Sequence, residues 1–136
     1  MRTKQRNNLA ETACHERVAQ NTDVYAVKAR NYKGLRRGSP VFCRNNWHIH
    51  HAKSGGGQIL VCVAGRGYYQ EWGKSAQELR PGSVVNIPVG VKHWHGAAPN
   101  SWFSHLAVEV PGDETSNEWL EAVDNTVYFK AAGKEV

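Results

Sequence analysis

From Pro40 onward, short runs of alternating apolar and polar residues are separated by turn residues. These runs predict strands at Val41–His50, Gln58–Val63, Tyr68–Trp72, Ala76–Leu79, Ser83–Ile87 and Trp102–Val110. The turns between them, such as Gly65-Arg66-Gly67 and Arg80-Pro81-Gly82, recur at the spacing of a β-sandwich or barrel. The stretch has no helical periodicity, so the pattern predicts an all-β, antiparallel domain.

Both ends of the chain depart from this pattern. Thr115-Ser116-Asn117-Glu118 has the form of a capping box and predicts a short terminal helix over Trp119–Val123, which would pack on the sheets. At the other end, a weak apolar face allows a helix over Leu9–Ala19, and Val24–Val27 could form a short strand. Residues 1–39 are therefore predicted to be an arm, partly ordered or covering an edge, of a domain at residues 40–136.

Charge is distributed unevenly along the 136 residues. Residues 1–44 contain ten Lys and Arg against three acidic residues, whereas residues 45–136 contain seven against nine. The basic segment lacks interleaved aromatic residues and a recognition helix, so nucleic-acid binding is not predicted. The chain has no apolar run of membrane-spanning length and no signal-peptide core, and its three cysteines form no Cys-x-x-Cys pair. We therefore expect a cytoplasmic protein.

Histidines and one glutamine provide the candidate chemistry. His48 and His50 are two residues apart in a predicted strand, so their side chains lie on one face and can reach one point. His93 follows a tight turn marked by Pro88 and Gly90, which restrains its approach. Three imidazoles together with the amide of Gln58 would form a mixed nitrogen and oxygen site, which suits divalent Mn, Fe, Ni, Co or Zn.

The order of these residues resembles the two motifs of the cupins, small antiparallel jelly-roll β-barrels that hold a metal in the barrel mouth. The resemblance is carried by His48-x-His50, Gln58, Arg80-Pro81-Gly82 with the following Ser83-Val84-Val85, and Pro88-x-Gly90-x-x-His93, and it covers about residues 40–125. It implies a jelly-roll cupin barrel with a short C-terminal helix.

Within the cupins, the segment from Lys92 to Pro99, followed by His105, is similar to a bacterial branch related to hydroxynitrile lyases. That resemblance implies manganese or iron as the metal, with His48, His50, Gln58 and His93 as ligands. It also implies His95 and His105 as the acid/base pair. The loop from His50 to Gln58 is longer here than in the lyases, which leaves open whether Gln58 reaches the metal.

Three function classes follow from these residues. The first is a metal-dependent lyase or isomerase of a small molecule, favoured by the two histidines beyond the ligand set. The second is a metal-dependent oxygenase, which would use the same three imidazoles. The third is a non-catalytic binding or accessory module, for which the resemblance to the bacterial branch implies a carboxymuconolactone decarboxylase-like protein as a partner. An exposed barrel edge also favours a homodimer.

Overall fold

The structure is a computed structural model that describes residues 14–19, 27–33, 44–99 and 101–133. In chain order these residues form the strands β1 (Cys14–Ala19), β2 (Val27–Lys33), β3 (His48–His51), β4 (Ser54–Gly55), β5 (Gln58–Gly65), β6 (Gly67–Glu71), β7 (Gln77–Leu79), β8 (Val84–Ile87), β9 (His93–Ala97), β10 (Trp102–Glu109), β11 (Gly112–Asp113) and β12 (Ser116–Trp119), followed by the helix α1 (Asn125–Ala131).

The strands form two five-stranded antiparallel sheets and a small two-stranded ribbon. The first sheet has the order β1-β2-β10-β5-β8, the second has the order β12-β3-β9-β6-β7, and β4 pairs with β11. From β8 onward, the strands β8, β9, β10 and β12 alternate between the two large sheets. This crossing over is the connectivity of a jelly roll, so the predicted fold class is confirmed.

The core lies between the two large sheets. It is built from side chains that alternate along each strand, because successive residues of a strand point to opposite faces. Its buried members come from both sheets: Leu60, Cys62, Val85, Ile87, Phe103 and Ala107 from the first, and Tyr69, Leu79 and Ala97 from the second. On β10, Phe103, His105 and Ala107 alternate with more exposed residues and are all buried.

A second apolar cluster covers the outer face of the second sheet. Trp94 and Tyr68 project from β9 and β6 toward Val123 and the helix residue Tyr128. The hydroxyl of Tyr128 donates to the carbonyl oxygen of Ala97 at 2.6 Å. Strand β9 is consequently buried on both faces, with its histidines on the inner one.

The predicted helix over Trp119–Val123 is wrong in position. Residues Ser116–Trp119 instead form the strand β12, which pairs antiparallel with β3. The helix begins after Asp124, whose side chain accepts a hydrogen bond from the backbone N–H of Val127 at 2.8 Å. The capping-box pattern misled because Asn117 and Glu118 pair with side chains of β3 instead of capping a helix.

Two further strand assignments differ from the sequence prediction. In the long strand predicted over Val41–His50, only His48–His50 lies in β3, and Arg44 forms an isolated bridge with Gly96, while residues 41–43 lie outside the described residues. The strand β9 was not predicted at all. Its five residues, His93 to Ala97, include two histidines and a glycine and so give no apolar alternation.

Within the predicted N-terminal arm, the structure describes two strands. The helix predicted over Leu9–Ala19 is wrong for its described part, since Cys14–Ala19 is the strand β1. Of the strand predicted over Val24–Val27, only Val27 lies within the described residues, where it begins β2. Strands β1 and β2 widen the first sheet by two strands, since β2 pairs with β10 and β1 pairs with β2.

The outer face of the first sheet carries an apolar row. Val84, Val61 and Leu106 lie side by side on three neighbouring strands, and Ile59 and Val108 form the next pair along. Val84 is 60% exposed, so this row faces outward. No helix within the described residues has the length and apolar character needed to cross a membrane.

Candidate metal centre

The five buried histidines of the described residues come together on facing strands. His48 and His50 project from β3, His93 and His95 from β9, and His105 from β10. Each is at most 5% exposed. His48 and His93 are direct partners in the pairing of β3 with β9, and their ring centroids are 4.1 Å apart. The ring of His50 lies 5.2 Å from both of these rings. Residues two apart in a strand point to the same face. His48 and His50 therefore share one face of β3, His93 and His95 share one face of β9, and the two faces meet.

Hydrogen bonds set the tautomer of three of these rings. Nδ1 of His48 lies 2.8 Å from the carbonyl oxygen of Asn46, and Nδ1 of His93 lies 2.8 Å from that of Val91. Nδ1 of His50 lies 2.7 Å from Oδ1 of Asn117. An oxygen of this kind only accepts, so each Nδ1 carries the proton, and each Nε2 of the neutral ring keeps its lone pair. This is the second contact that metal-binding histidines usually make.

The side-chain amide of Gln58 likewise makes one supporting hydrogen bond and keeps one acceptor atom free. The side chain is 3% exposed, and its Nε2 donates to Oε1 of Glu109 at 2.6 Å. Its Oε1 is buried and has no hydrogen-bond partner, and the same holds for Nε2 of His50 and Nε2 of His93. Buried polar atoms without a partner are uncommon, and three such acceptors buried on β3, β5 and β9 are what a cation would satisfy.

The long loop before Gln58 does not remove this residue from the interior. Gly55 and Gly57 adopt positive φ angles of 62° and 99°, which let the chain fold back sharply. A Cβ on Gly57 would lie 2.7 Å from the carbonyl oxygen of Ile87, so a glycine is required for this close approach. The extra residues instead form the ribbon of β4 with β11, and Gln58 begins β5 on its inner face.

The structure also brings together a group of three imidazoles that differs from the predicted ligand set. Nitrogen atoms of His48, His93 and His95 lie within 4.8 Å of one another. This group contains the predicted acid/base residue His95 in place of the predicted ligand His50. Hydrogen bonding favours His50 as the ligand, because its Nε2 has no partner, whereas a ring nitrogen of His95 lies 3.0 Å from the amide nitrogen of Asn45.

Asn45 holds His95 at two points. Its Oδ1 accepts from the backbone N–H of His95 at 2.9 Å, which fixes the amide so that Nδ2 faces the ring. Nδ2 lies 3.0 Å from Nε2 and 3.4 Å from Nδ1 of His95. An amide nitrogen only donates, so the nearer ring nitrogen accepts. The ring of His105 lies 4.9 Å from that of His95, nearly perpendicular to it, and is fully buried. The two residues of the predicted acid/base pair thus lie together, with the ring of His95 5.6 Å from that of His48.

Burial governs the protonation of His93. Desolvation lowers the pKa of His93 to about 4; the neighbouring His50 adds to this, and the hydrogen bond to the Val91 carbonyl opposes it. The ring is therefore neutral at pH 7, which is the form that binds a metal. The nearby Tyr69, whose ring centroid is 5.7 Å away, donates its hydroxyl to Glu71, and burial raises the pKa of Tyr69.

Sequence reasoning missed several residues that support the site. Trp119 was expected to pack the terminal helix, yet it is 53% exposed and its ring lies 4.7 Å from that of His48. Asn117 and Glu109 contact His50 and Gln58, and neither gave a signal in the sequence, because polar residues at a strand end are also typical of solvent-exposed positions. His51 is exposed and pairs with Glu118 on the outer face.

Comparison with known proteins identifies the class. A scan against models of protein families finds no match. A cupin-like protein from Thermotoga maritima has a structure that is 34% identical in sequence, with a TM-score of 0.70, over 87% of this chain and 82% of the other. A double-stranded β-helix domain protein from Klebsiella pneumoniae matches 89% of this chain and 98% of the other at 16% identity and a TM-score of 0.61. The chain belongs to the cupins.

One characterised relative is more specific. The chain is 40% identical over 85 residues to an (R)-mandelonitrile lyase from Granulicella tundricola. The match covers 62% of this chain and 62% of the relative, so it spans less than two thirds of that enzyme. The chain is accordingly a small cupin similar to hydroxynitrile lyases, and its histidine cluster is compatible with a divalent metal.

Proposed function

We propose that the protein is a metal-dependent lyase that cleaves a small cyanohydrin into a carbonyl compound and hydrogen cyanide. The observation that carries this proposal is that buried acceptors on His50, His93 and Gln58 have no hydrogen-bond partner, in an interior that also holds the buried pair His95 and His105. The similarity to (R)-mandelonitrile lyase supports the choice of reaction. The ligands are His48, His50, His93 and Gln58.

The ligand set carries no formal charge, because Gln58 supplies an amide where a carboxylate would add a negative charge. Manganese or iron fits three imidazoles and one amide oxygen. An ion at this site would act as a Lewis acid toward an anionic oxygen or a departing cyanide. The burial of all five rings keeps water from competing with that interaction.

Two proton transfers fall to the chain's own residues. One histidine of the pair His95 and His105 takes the hydroxyl proton of the cyanohydrin, and the O–H electron pair then forms the carbonyl double bond. The carbon–carbon bond to the nitrile breaks, and cyanide leaves with the electron pair of that bond. A proton from the other histidine then yields hydrogen cyanide. The contacts of Asn45 with His95 hold that ring in orientation throughout.

Metal analysis and a lyase assay on the same samples test the proposal. We expect near-stoichiometric manganese or iron in the wild-type protein, lost in His93→Ala, and release of benzaldehyde and cyanide from mandelonitrile. His105→Ala should keep the metal and lose most of the activity. His51→Ala is the matched control, since this histidine is exposed on the opposite face and should affect neither quantity.

Two results would contradict the proposal. The absence of metal in the wild-type protein after reconstitution would remove the site. Metal-dependent oxygen uptake without cyanohydrin cleavage would instead make the protein an oxygenase.

A further inference from the structure

The hydrogen bond between Gln58 and Glu109 determines which atom of the Gln58 amide is left without a partner in the buried interior. The two residues are direct partners in the pairing of β5 with β10, and Nε2 of Gln58 lies 2.6 Å from Oε1 of Glu109. We propose that Glu109 is a positioning residue that makes Gln58 an oxygen ligand. This inference rests on the metal site proposed above.

The argument begins with the symmetry of the amide. The oxygen and nitrogen of a glutamine side chain occupy similar positions, so a half-turn of the amide exchanges an acceptor for a donor. A donor in the place of the free oxygen could not bind a cation. An ionised carboxylate accepts and has no proton to donate, so it pairs with the NH₂ group only. With Glu109 beside it, the flipped amide would place two oxygens against each other, and Gln58 is held with Oε1 toward the interior.

Burial makes this orientation effective. Gln58 is 3% exposed, so water cannot replace Glu109 as a partner for a flipped amide. Oε1 of Gln58 is the buried atom that has no hydrogen-bond partner, which places the free lone pairs of the amide away from Glu109. The glycine-rich turn before Gln58 and the strand pairing on both of its sides restrain the backbone, so the amide can reorient only through the side-chain torsions.

Glu109 also affects the electrostatics of the ligand. A hydrogen bond from the amide N–H to a carboxylate is charge-assisted, and it polarises the amide toward a more negative oxygen. The ligand atom therefore gains basicity while the carboxylate itself stays off the metal. A neutral amide backed by an anion differs in this way both from a glutamate ligand and from an isolated glutamine.

The test compares Mn²⁺ affinity, measured as the loss of the free-ion electron paramagnetic resonance signal, in four proteins. Glu109→Gln should lower the affinity about 10- to 100-fold, because a glutamine can also donate and so permits the flipped amide of Gln58. The double variant Gln58→Glu with Glu109→Gln should recover much of the affinity, since the carboxylate and the amide donor have exchanged places. Glu114→Gln is the matched control, an exposed acid that should leave affinity unchanged.

A second readout needs no metal. In the metal-free protein, the side-chain NH₂ signals of Gln58, assigned by their loss in Gln58→Glu, should show one proton shifted downfield and protected from exchange. Glu109→Gln should abolish that shift while the remaining spectrum stays dispersed, which separates reorientation from loss of fold.

The outcomes distinguish the two proposals. Equal Mn²⁺ affinity in the wild type and Glu109→Gln would overturn the role of Glu109 and leave the metal site standing. A double variant as weak as Glu109→Gln would also overturn it, since the loss would then not depend on where the charge sits. A wild-type protein that binds no Mn²⁺ would remove both the proposed function and this inference.

Discussion

The burial of His93 predicts that the metal-free protein loses stability in mild acid. The pKa of His93 is about 4 in the folded chain, against 6.5 for a free histidine. Between these two pH values the unfolded chain binds the proton and the folded chain does not. The contribution of His93 to the free energy of unfolding is therefore greatest above pH 6.5 and falls as the pH is lowered toward 4. Each pKa unit corresponds to about 1.4 kcal/mol, so the loss across this window approaches about 3 kcal/mol.

The measurement is urea unfolding of chelator-treated protein at pH 7, 5.5 and 4. Other groups titrate in the same range, so the quantity that counts is the difference between the wild type and His93→Gln. Glutamine fills much of the same space, can donate to the Val91 carbonyl and cannot be protonated. The wild type should lose about 3 kcal/mol more than this variant between pH 7 and pH 4. Equal losses in the two proteins would refute the assignment of the buried neutral ring.

Three further predictions concern other parts of the molecule. Tyr128→Phe removes the buried donor to the Ala97 carbonyl and should lower the free energy of unfolding by about 1 to 2 kcal/mol in denaturant titration, with metal content unchanged. Asn117→Ala frees Nδ1 of His50 and should weaken Mn²⁺ binding about 10- to 100-fold in chelator competition; an unchanged affinity would show that His50 is not a ligand. The exposed apolar row on the first sheet predicts that the protein is a homodimer, which light scattering would detect. Val61→Asp should convert the dimer to a monomer, and a monomeric wild type would contradict this prediction.

The sequence was informative where chemistry and strand alternation coincided. The i, i+2 spacing of His48 and His50 predicted that both rings share one face of a strand, and both are buried in the structure. The predicted strand Trp102–Val110 contains His105, which is buried on β10. Turn glycines and prolines marked the boundaries of the strands between them. These signals lie within short stretches of the chain, so one amino-acid sequence is enough to detect them.

What the sequence could not supply depends on pairing between distant strands. The segment from Ser116 to Trp119 is polar and carries a capping-box pattern, yet it becomes a strand because β3 offers it an unpaired edge. The same applies to the bond between Gln58 and Glu109, which are 51 residues apart and meet only through the register of β5 with β10. Local propensity does not encode such contacts, and tertiary pairing overrides it.

The strand β12 lies at one end of the second sheet and is hydrogen-bonded to β3 on one side. It brings Asn117 against His50, and it places the half-exposed ring of Trp119 beside His48. Edge elements with few buried contacts open locally long before the whole domain unfolds. Fraying of β12 would therefore remove the contact that orients His50 and expose the ring of His48 at the same time. We expect the rate of metal exchange to follow the amide exchange of this short strand, and a bound ion to slow both.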